Sequence, residues 1–429
     1  MSDSDLQDVS QDVFLGRQPI LDRHQQLFAY ELLFRGAAEG KADGFAAFVG
    51  GGPAPAEAIA GAFADLSLAE ALGAYQGFVK AGPDLLFGEH IEALPPRAVV
   101  LEVSGAPGAP GDMAARCEEL RQAGYILAAR APDALTPGDE ALLKIAEVVK
   151  VDAGRAEPER LKRLAIALKP LRKTLLAEGV ETAERRRLCH ELGFDLFQGY
   201  WFARPATGET KRLKSSEAAL LRLLGLISSD ADTFEIEAVF KQEPILTINL
   251  LRLTNSVGSG LSTRIGSVRH AITLLGRRQL LRWLQLLLYS GATNASPAVN
   301  PLLQLAATRG RLMELLVDYT VEVNQFGRDL IDQGFMVGIL SLMPAMLGDE
   351  AAETLAGLPL PLPVLDALGE RLGVLGDLLT FVEALEEVSP AKAAAVAPRL
   401  PGIDAPRANA CLARALNWAN NLARESEDR

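Results

Sequence analysis

The amino-acid sequence predicts an α/β fold in its N-terminal half, with a parallel sheet or barrel, followed by an all-helical domain. Two observations lead to this prediction. Short apolar runs that carry or end in polar residues alternate with helical stretches in the first half, whereas strand-like patterns almost disappear after residue 216. Strands that alternate with helices form parallel sheets or barrels, so we expect the chemistry at the carboxyl ends of the strands.

Four apolar runs predict strands, and two stretches between them predict helices. Each strand-like run contains or is followed by an acidic residue, and two also contain a Lys or an Arg. The runs are Tyr30–Arg35, Ala98–Val103, Val148–Asp152 and Thr174–Ala177, and the helical stretches are Met113–Gln122 and Pro158–Lys169. The sequence therefore predicts a cleft lined with charged side chains at one edge of the sheet.

The segment Ala177–Thr182 places Glu178 and Glu181 beside Gly179 at the end of an apolar run. Two interpretations are open. A strand terminus with a sharp turn presents the carboxylates to a cleft, which suits metal or phosphate chemistry. Alternatively, the acids open the helix predicted over Ala183–Leu192, where negative charge is favourable at the N-terminal end.

The second half shows helical periodicity. Leu220, Leu221, Leu224 and Ile227 recur at helical spacing, and further apolar helices follow to the end of the chain. The polar segment Thr207–Lys211 marks the boundary between the halves. An all-helical C-terminal domain is predicted.

Composition limits the class of protein. The net charge of -12 and the pI near 5.1 argue against a protein that binds nucleic acids or anionic membranes in general. Cys117, Cys189 and Cys411 are far apart and form no CxxC pair, so we expect them reduced and buried. The acidic N-terminus is unlike a signal peptide, and Leu280–Ser290 is too short to span a bilayer. We expect a cytoplasmic protein.

Five motifs of the first half share their order and spacing with one family. They are Phe14–Ile20, Tyr30–Arg35, Lys150–Asp152, Ala177–Thr182 and Gln198–Tyr200 with Arg204 and Pro205. Together they resemble an EAL domain, a family of bacterial phosphodiesterases that linearise cyclic di-GMP. The resemblance implies a TIM-barrel-like domain with its site at the strand ends.

The second half resembles an HDOD domain, in the segments Lys241–Ser256, Ser267–Gly276 and Gly338–Met343. This family is related to HD phosphohydrolases but lacks their metal-binding His and Asp residues. His270, the only histidine after residue 190, precedes Ala271 and not an Asp, so we expect it to serve helix packing or capping. The predicted division is a disordered tail over 1–11, a degenerate EAL barrel over 12–207, a linker over 208–215, an HDOD domain over 216–410, and a C-terminal helix and tail over 411–429.

The EAL resemblance implies a site with two Mg²⁺ or Mn²⁺ ions, whose residues this chain keeps only in part. Remnants that match the family are Glu31, Glu102, Lys150, Asp152, Glu178 and Gln198, whereas Lys80, Arg130 and Ala131 stand where it has an Asn and a pair of Asp residues. Lys80 and Arg130 either extend into solvent or pair with the carboxylates in place of metal ions, and we favour the ion pairs. We therefore expect no functional catalytic residue, no metal and no other cofactor.

Gln18, Arg35 and Pro205 match positions where EAL domains hold cyclic di-GMP, although a lone Arg such as Arg35 also commonly caps a strand or pairs with a surface acid. We expect a bacterial signal transduction protein of the cyclic di-GMP system that is catalytically inactive and contacts protein partners through its HDOD domain. The alternatives are an active phosphodiesterase that uses Mg²⁺ or Mn²⁺, and a scaffold without a ligand. A homodimer is left open.

Overall fold

The structure is a computed structural model. It describes residues 13–35, 55–104, 112–132, 137–204, 215–257, 265, 267–290, 300–320, 329–387, 389–400 and 402–427. Within these ranges the chain forms a closed eight-stranded barrel followed by helices. The predicted fold class, an α/β barrel followed by an all-helical domain, is confirmed. The predicted tail over 1–11 and linker residues 208–214 lie outside the described residues.

The barrel strands follow one another in chain order around the sheet. They are β1 (Phe14–Leu21), β2 (Leu27–Arg35), β3 (Gln76–Lys80), β4 (Val99–Val103), β5 (Ile126–Arg130), β6 (Val148–Asp152), β7 (Thr174–Glu178) and β8 (Leu196–Gln198). The helices among the described residues of this half are α1 (Ala56–Asp65), α2 (Leu68–Leu72), α3 (Pro83–Phe87), α4 (Met113–Gln122), α5 (Pro137–Ile145), α6 (Pro158–Leu168) and α7 (Ala183–Glu191).

Strand β1 differs from the all-parallel sheet that alternating strands and helices suggest. It pairs antiparallel with both β2 and β8, whereas the other neighbouring strands are parallel. Only the segment 22–26 joins β1 to β2. That segment is too short for the crossover that parallel neighbours need. As a result Phe14 lies opposite Arg35, and β1 begins at the end of the barrel where the other strands finish.

The described residues of the second half form helices. Those described are α8 (Ser215–Ser228), α9 (Thr233–Gln242), α10 (Pro244–Val257), α11 (Val268–Leu275), α12 (Arg277–Ser290), α13 (Pro301–Val317), α14 (Asp329–Leu340), α15 (Met343–Leu347), α16 (Ala351–Ala356), α17 (Leu362–Glu370), α18 (Gly373–Glu386), α19 (Pro390–Val396) and α20 (Ala405–Glu427). Helix α20 begins before the predicted boundary at 411, because Asp404 caps it by accepting a hydrogen bond from the backbone N–H of Arg407 at 2.9 Å.

The structure shows the surroundings of His270 and of the three cysteines. His270 is exposed. Its backbone N–H donates to Ser267 Oγ at 3.3 Å, which caps α11, so of the two roles predicted for His270, helix packing or capping, it takes part in the capping. The three cysteines are buried and unpaired, as predicted, and burial raises the pKa of each thiol to about 11. They are therefore packed as small apolar side chains.

The two halves pack directly on each other along β1. A Cβ added to Gly16 would lie 2.7 Å from the carbonyl oxygen of Leu385 in α18, so this close approach requires glycine. Asn409 of α20 accepts a hydrogen bond from the N–H of Leu15 at 2.8 Å and donates to the carbonyl of Val13 at 2.6 Å. The last helix is thus hydrogen-bonded to the start of the barrel, and both halves form one continuous core.

Among the residues that the structure describes, one stretch, Asp329–Ala356, is long and apolar enough to cross a membrane by length and composition alone. Within the structure, 67% of its most apolar window is buried among other residues. A core helix passes the same test when it packs inside a protein.

Candidate functional site

The barrel interior has an apolar floor to which every strand contributes one residue. The floor consists of Ile20, Ala29, Phe78, Val100, Ala128, Val148, Leu176 and Leu196. Side chains of a strand return to the same face every second residue. The residues two positions nearer the end of the barrel where β1 begins and the other strands finish are all polar: Gln18, Glu31, Lys80, Glu102, Arg130, Lys150, Glu178 and Gln198. We call these eight residues the polar ring.

Lys150 lies at the centre of the polar ring and is fully buried. Its Nζ is 2.8 Å from Glu31 Oε2 and 2.5 Å from Glu102 Oε2. Both carboxylates are also buried. A charge removed from water is tolerated only when it is paired and hydrogen-bonded, and one lysine here serves two acids.

Two glutamines continue this network toward β1. Gln198 Nε2 donates to Glu31 Oε2 at 2.5 Å and to Gln18 Oε1 at 2.7 Å. Because β1 runs antiparallel to β2, Gln18 lies opposite Glu31 and so joins the ring. The sequence analysis placed Gln198 near the site and assigned Gln18 to ligand binding, and the structure joins the two side chains.

Lys80 and Arg130 both approach carboxylates of the ring. Lys80 Nζ is 3.2 Å from Glu31 Oε1, so the two groups form an ion pair. Glu31 Oε1 has no hydrogen-bond partner among the described residues. Arg130 Nη2 forms a hydrogen-bonded ion pair with Glu178 Oε2. The ion pairs predicted for these two cations are therefore present. Three cations face three carboxylates, so the formal charges of the ring cancel.

The electrostatics of the buried carboxylates follow from their partners. Burial opposes ionisation of Glu31, yet Lys150 and Lys80 lower the pKa of this carboxyl to about 2. Burial raises the pKa of Glu102, because Lys150 offsets the loss of water only in part. Burial also disfavours the charge of Lys150, but Glu31 and Glu102 together raise its pKa above the usual value. Glu31 is thus the acid most firmly held in its charged form.

The remaining predicted site residues have other surroundings. Asp152 Oδ1 accepts from the backbone N–H of Gly154 at 3.1 Å and so orders the turn after β6. Ala131 is buried and contributes no oxygen ligand. Arg35 ends β2, but its side chain and all of Pro205 lie outside the described residues. The ligand-binding roles predicted for Arg35 and Pro205 therefore stay predictions.

The acids of the ring offer few oxygens to a metal ion. Among the described residues, no group of three or more His, Cys, Asp or Glu side chains is arranged to hold one. Mg²⁺ and Mn²⁺ need several oxygen ligands in near-octahedral positions. The carboxylates of Glu31, Glu102 and Glu178 instead face ammonium or guanidinium groups. The residues present do not fit a two-metal centre.

A cavity of about 360 Å³ lies beside the polar ring, between the barrel and the helical domain. Gln18, Tyr200 and Arg204 line it from the barrel side, and Arg309, Ser341 and Glu383 line it from the helical side. The helical wall was not predicted from the sequence, because no local pattern links residues so far apart in the chain. The signal in the sequence was only the pair of acids, Glu383 and Glu386, within an apolar helix.

The protein thus belongs to the class of two-part proteins in which a closed βα barrel, with charged side chains at one end of its interior, is joined to a helical domain. Residues 216–329 match the HDOD domain family. The chain is 27% identical over 420 residues to the uncharacterized protein YuxH of Bacillus subtilis, covering 96% of this chain and 98% of YuxH. It is 26% identical over 385 residues to the cyclic di-GMP phosphodiesterase CdgJ of Vibrio cholerae, covering 89% of this chain and 86% of CdgJ.

Solved structures similar to this chain include two EAL proteins. YkuI of Bacillus subtilis, in complex with cyclic di-GMP and calcium, has 17% identity and a TM-score of 0.37, covering 64% of this chain and 75% of its own. A standalone EAL protein of Vibrio cholerae O395, bound to cyclic di-GMP, has 24% identity and a TM-score of 0.34, covering 46% and 92%. The HDOD domain predicted for the second half is matched over residues 216–329.

Proposed function

We propose that this protein is a catalytically inactive member of the cyclic di-GMP signalling system. Its barrel binds the nucleotide without hydrolysing it, and its HDOD domain passes the signal to protein partners. The observation that carries the proposal is the neutral polar ring, in which Lys80, Arg130 and Lys150 pair with the three glutamates. These ion pairs leave the glutamates satisfied without divalent ions, which supports the proposal.

The magnitude of the electrostatic effect supports this conclusion. A single positive charge about 4 Å from a divalent ion is repelled by about 8 kcal/mol at an effective dielectric of about 20. Arg130 pairs with Glu178, and Lys80 with Glu31, so a metal bound to either acid would have such a neighbour. Glu31 would also have to give up the partners that hold its pKa near 2. Both effects oppose metal binding.

The relatives support the signalling system but leave the activity open. CdgJ is named a cyclic di-GMP phosphodiesterase, and it aligns along 89% of this chain. This match favours a second candidate function, an active phosphodiesterase that uses Mg²⁺ or Mn²⁺. At 26% identity, the ion pairs of this chain's own ring favour the inactive form.

The direct test is hydrolysis of cyclic di-GMP by the full chain with Mg²⁺ or Mn²⁺, with the linear product measured by chromatography. We expect no product above the background of a Glu31→Gln variant, which removes the central acid and reveals any contaminating enzyme. Turnover by the wild type that this variant abolishes would refute the proposal. The triple variant Lys80→Asn, Arg130→Asp and Ala131→Asp restores the residue types of the active family, and we expect it to bind Mn²⁺ more tightly than the wild type.

Nucleotide binding is tested separately from catalysis. Calorimetric titration of the full chain with cyclic di-GMP should give a saturable heat without added metal. Gln18→Ala should weaken binding by about tenfold, because a buried polar contact is lost. An absence of heat at high nucleotide concentration would favour the scaffold function.

A further inference from the structure

The cavity between the two domains is the feature from which the inference starts. Its volume of about 360 Å³ is near the lower end of the range for small-ligand pockets, roughly 300 to 1,000 Å³. Gln18 belongs both to the cavity wall and to the polar ring. Any molecule held at the mouth of the barrel beside Gln18 therefore meets the helical domain on its other side.

The helical wall of the cavity is held in place by a buried ion pair. Arg309 donates to both oxygens of Glu386, at 3.2 and 2.5 Å, and to Ser341 Oγ at 2.8 Å. Arg309 and Glu386 are each more than nine-tenths buried. Their hydrogen bonds are used within the wall, so this pair supports the cavity and leaves recognition to a neighbouring group.

That neighbour is Glu383, which lines the cavity one helical turn before Glu386 and Glu387. Its carboxylate is 3.1 and 3.2 Å from Arg371 Nη2 and 3.6 Å from Arg309 Nη1. Burial nevertheless raises the pKa of Glu383, because the two arginines do not fully replace water. Its charged form would be stabilised by further hydrogen-bond donors from a ligand.

We propose that the cavity takes one guanine base of cyclic di-GMP, with the Glu383 carboxylate accepting from N1–H and from the 2-amino group. This inference rests on the proposed nucleotide binding. Guanine presents two adjacent donors on this edge, which match the two oxygens of a carboxylate, whereas adenine presents a donor and an acceptor. The helical domain thus reads the base itself, and occupancy of the barrel is sensed at α18.

The test compares two cyclic dinucleotides by calorimetry with the full chain. Cyclic di-IMP keeps N1–H but lacks the 2-amino group, so the wild type should bind cyclic di-GMP about tenfold more tightly. Glu383→Gln replaces one acceptor by a donor and should reduce this preference to about twofold. Glu237→Gln removes a carboxylate of the helical domain that does not line the cavity, and it should behave as the wild type.

A second measurement does not depend on a variant. Hydrogen exchange of the wild type should show protection of 341–344 and 373–386 when cyclic di-GMP is added. Equal affinity for both dinucleotides, or an unchanged preference in Glu383→Gln without protection of these segments, would overturn the inference and leave nucleotide binding intact. If the wild type binds neither dinucleotide, the nucleotide-sensing part of the proposed function fails, and this inference fails with it.

Discussion

Replacing Lys150 by Met tests whether the ion pairs of the polar ring hold the barrel together. The substitution keeps the apolar length of the side chain but leaves Glu31 and Glu102 buried without their shared cation. Removal of one partner of a buried pair costs about 3 to 5 kcal/mol.

The pH dependence sharpens this prediction, because the contribution of Glu31 to it should reverse in sign. In the wild type, the folded pKa of Glu31 lies below its unfolded value, so its stabilisation is present above about pH 4.5 and is lost as the pH falls toward 2. Without Lys150, burial raises the pKa values of Glu31 and Glu102 in the folded state. The variant should then lose stability as the pH rises above about 4.5, and it should be more stable at pH 5 than at pH 7.

Urea unfolding followed by Trp201 fluorescence measures this effect in the barrel. Trp283 and Trp418 lie in the helical part, so both are replaced by Phe in the reference and in every variant. Lys144→Met is the matched control, because Lys144 is exposed and its Nζ lies as far as 3.7 Å from Glu140 Oε2, its partner in a surface ion pair. Its stability should change by less than about 0.5 kcal/mol. A loss below about 1 kcal/mol in Lys150→Met, with the wild-type slope against pH, would refute the reasoning.

Two further predictions concern the contact between the domains. Gly16→Ala places a methyl group 2.7 Å from the Leu385 carbonyl oxygen and should destabilise the domain contact by about 1 to 3 kcal/mol. Limited proteolysis between the domains should then be faster. Gly369→Ala is the control, because its added methyl group meets open space and should not change the rate of proteolysis. Asn409→Ala removes two hydrogen bonds to the backbone of β1 and should lower the urea midpoint by an amount equivalent to about 2 kcal/mol. The exposed Asn421→Ala serves as its control, and equal midpoints for the two would contradict the role of Asn409.

Four of the strands and the charged residues they carry could be predicted from local periodicity, whereas the closed barrel and the positions of Lys80 and Arg130 followed from the family resemblance. Each strand places a polar residue two positions from an apolar one, and this pattern is visible in runs such as Val148–Asp152. The pairing of Lys80 and Arg130 with acids was predicted from their charge and length. The sequence left packing or capping open for His270, and the structure shows its backbone N–H in the cap formed by Ser267.

Features that depend on docking between distant segments could not be predicted. Gln18 and Glu383 meet at one cavity although they are in different domains, and no periodic pattern connects them. The hydrogen bonds from Asn409 to β1 are of the same kind. An asparagine in an amphipathic helix is ordinarily solvated, and only the packing of the last helix on the first strand gives it buried partners.

The separation of floor and ring divides the work of the barrel between different positions of the same strands. Residues such as Phe78 and Val100 carry the packing, and their neighbours two positions away carry the charge. A lineage can therefore exchange the chemistry at the mouth, one residue at a time, while the scaffold beneath keeps its shape. Loss of an enzymatic role and its replacement by a sensory one need only a few such exchanges, which makes this architecture well suited to the diversification of signalling proteins.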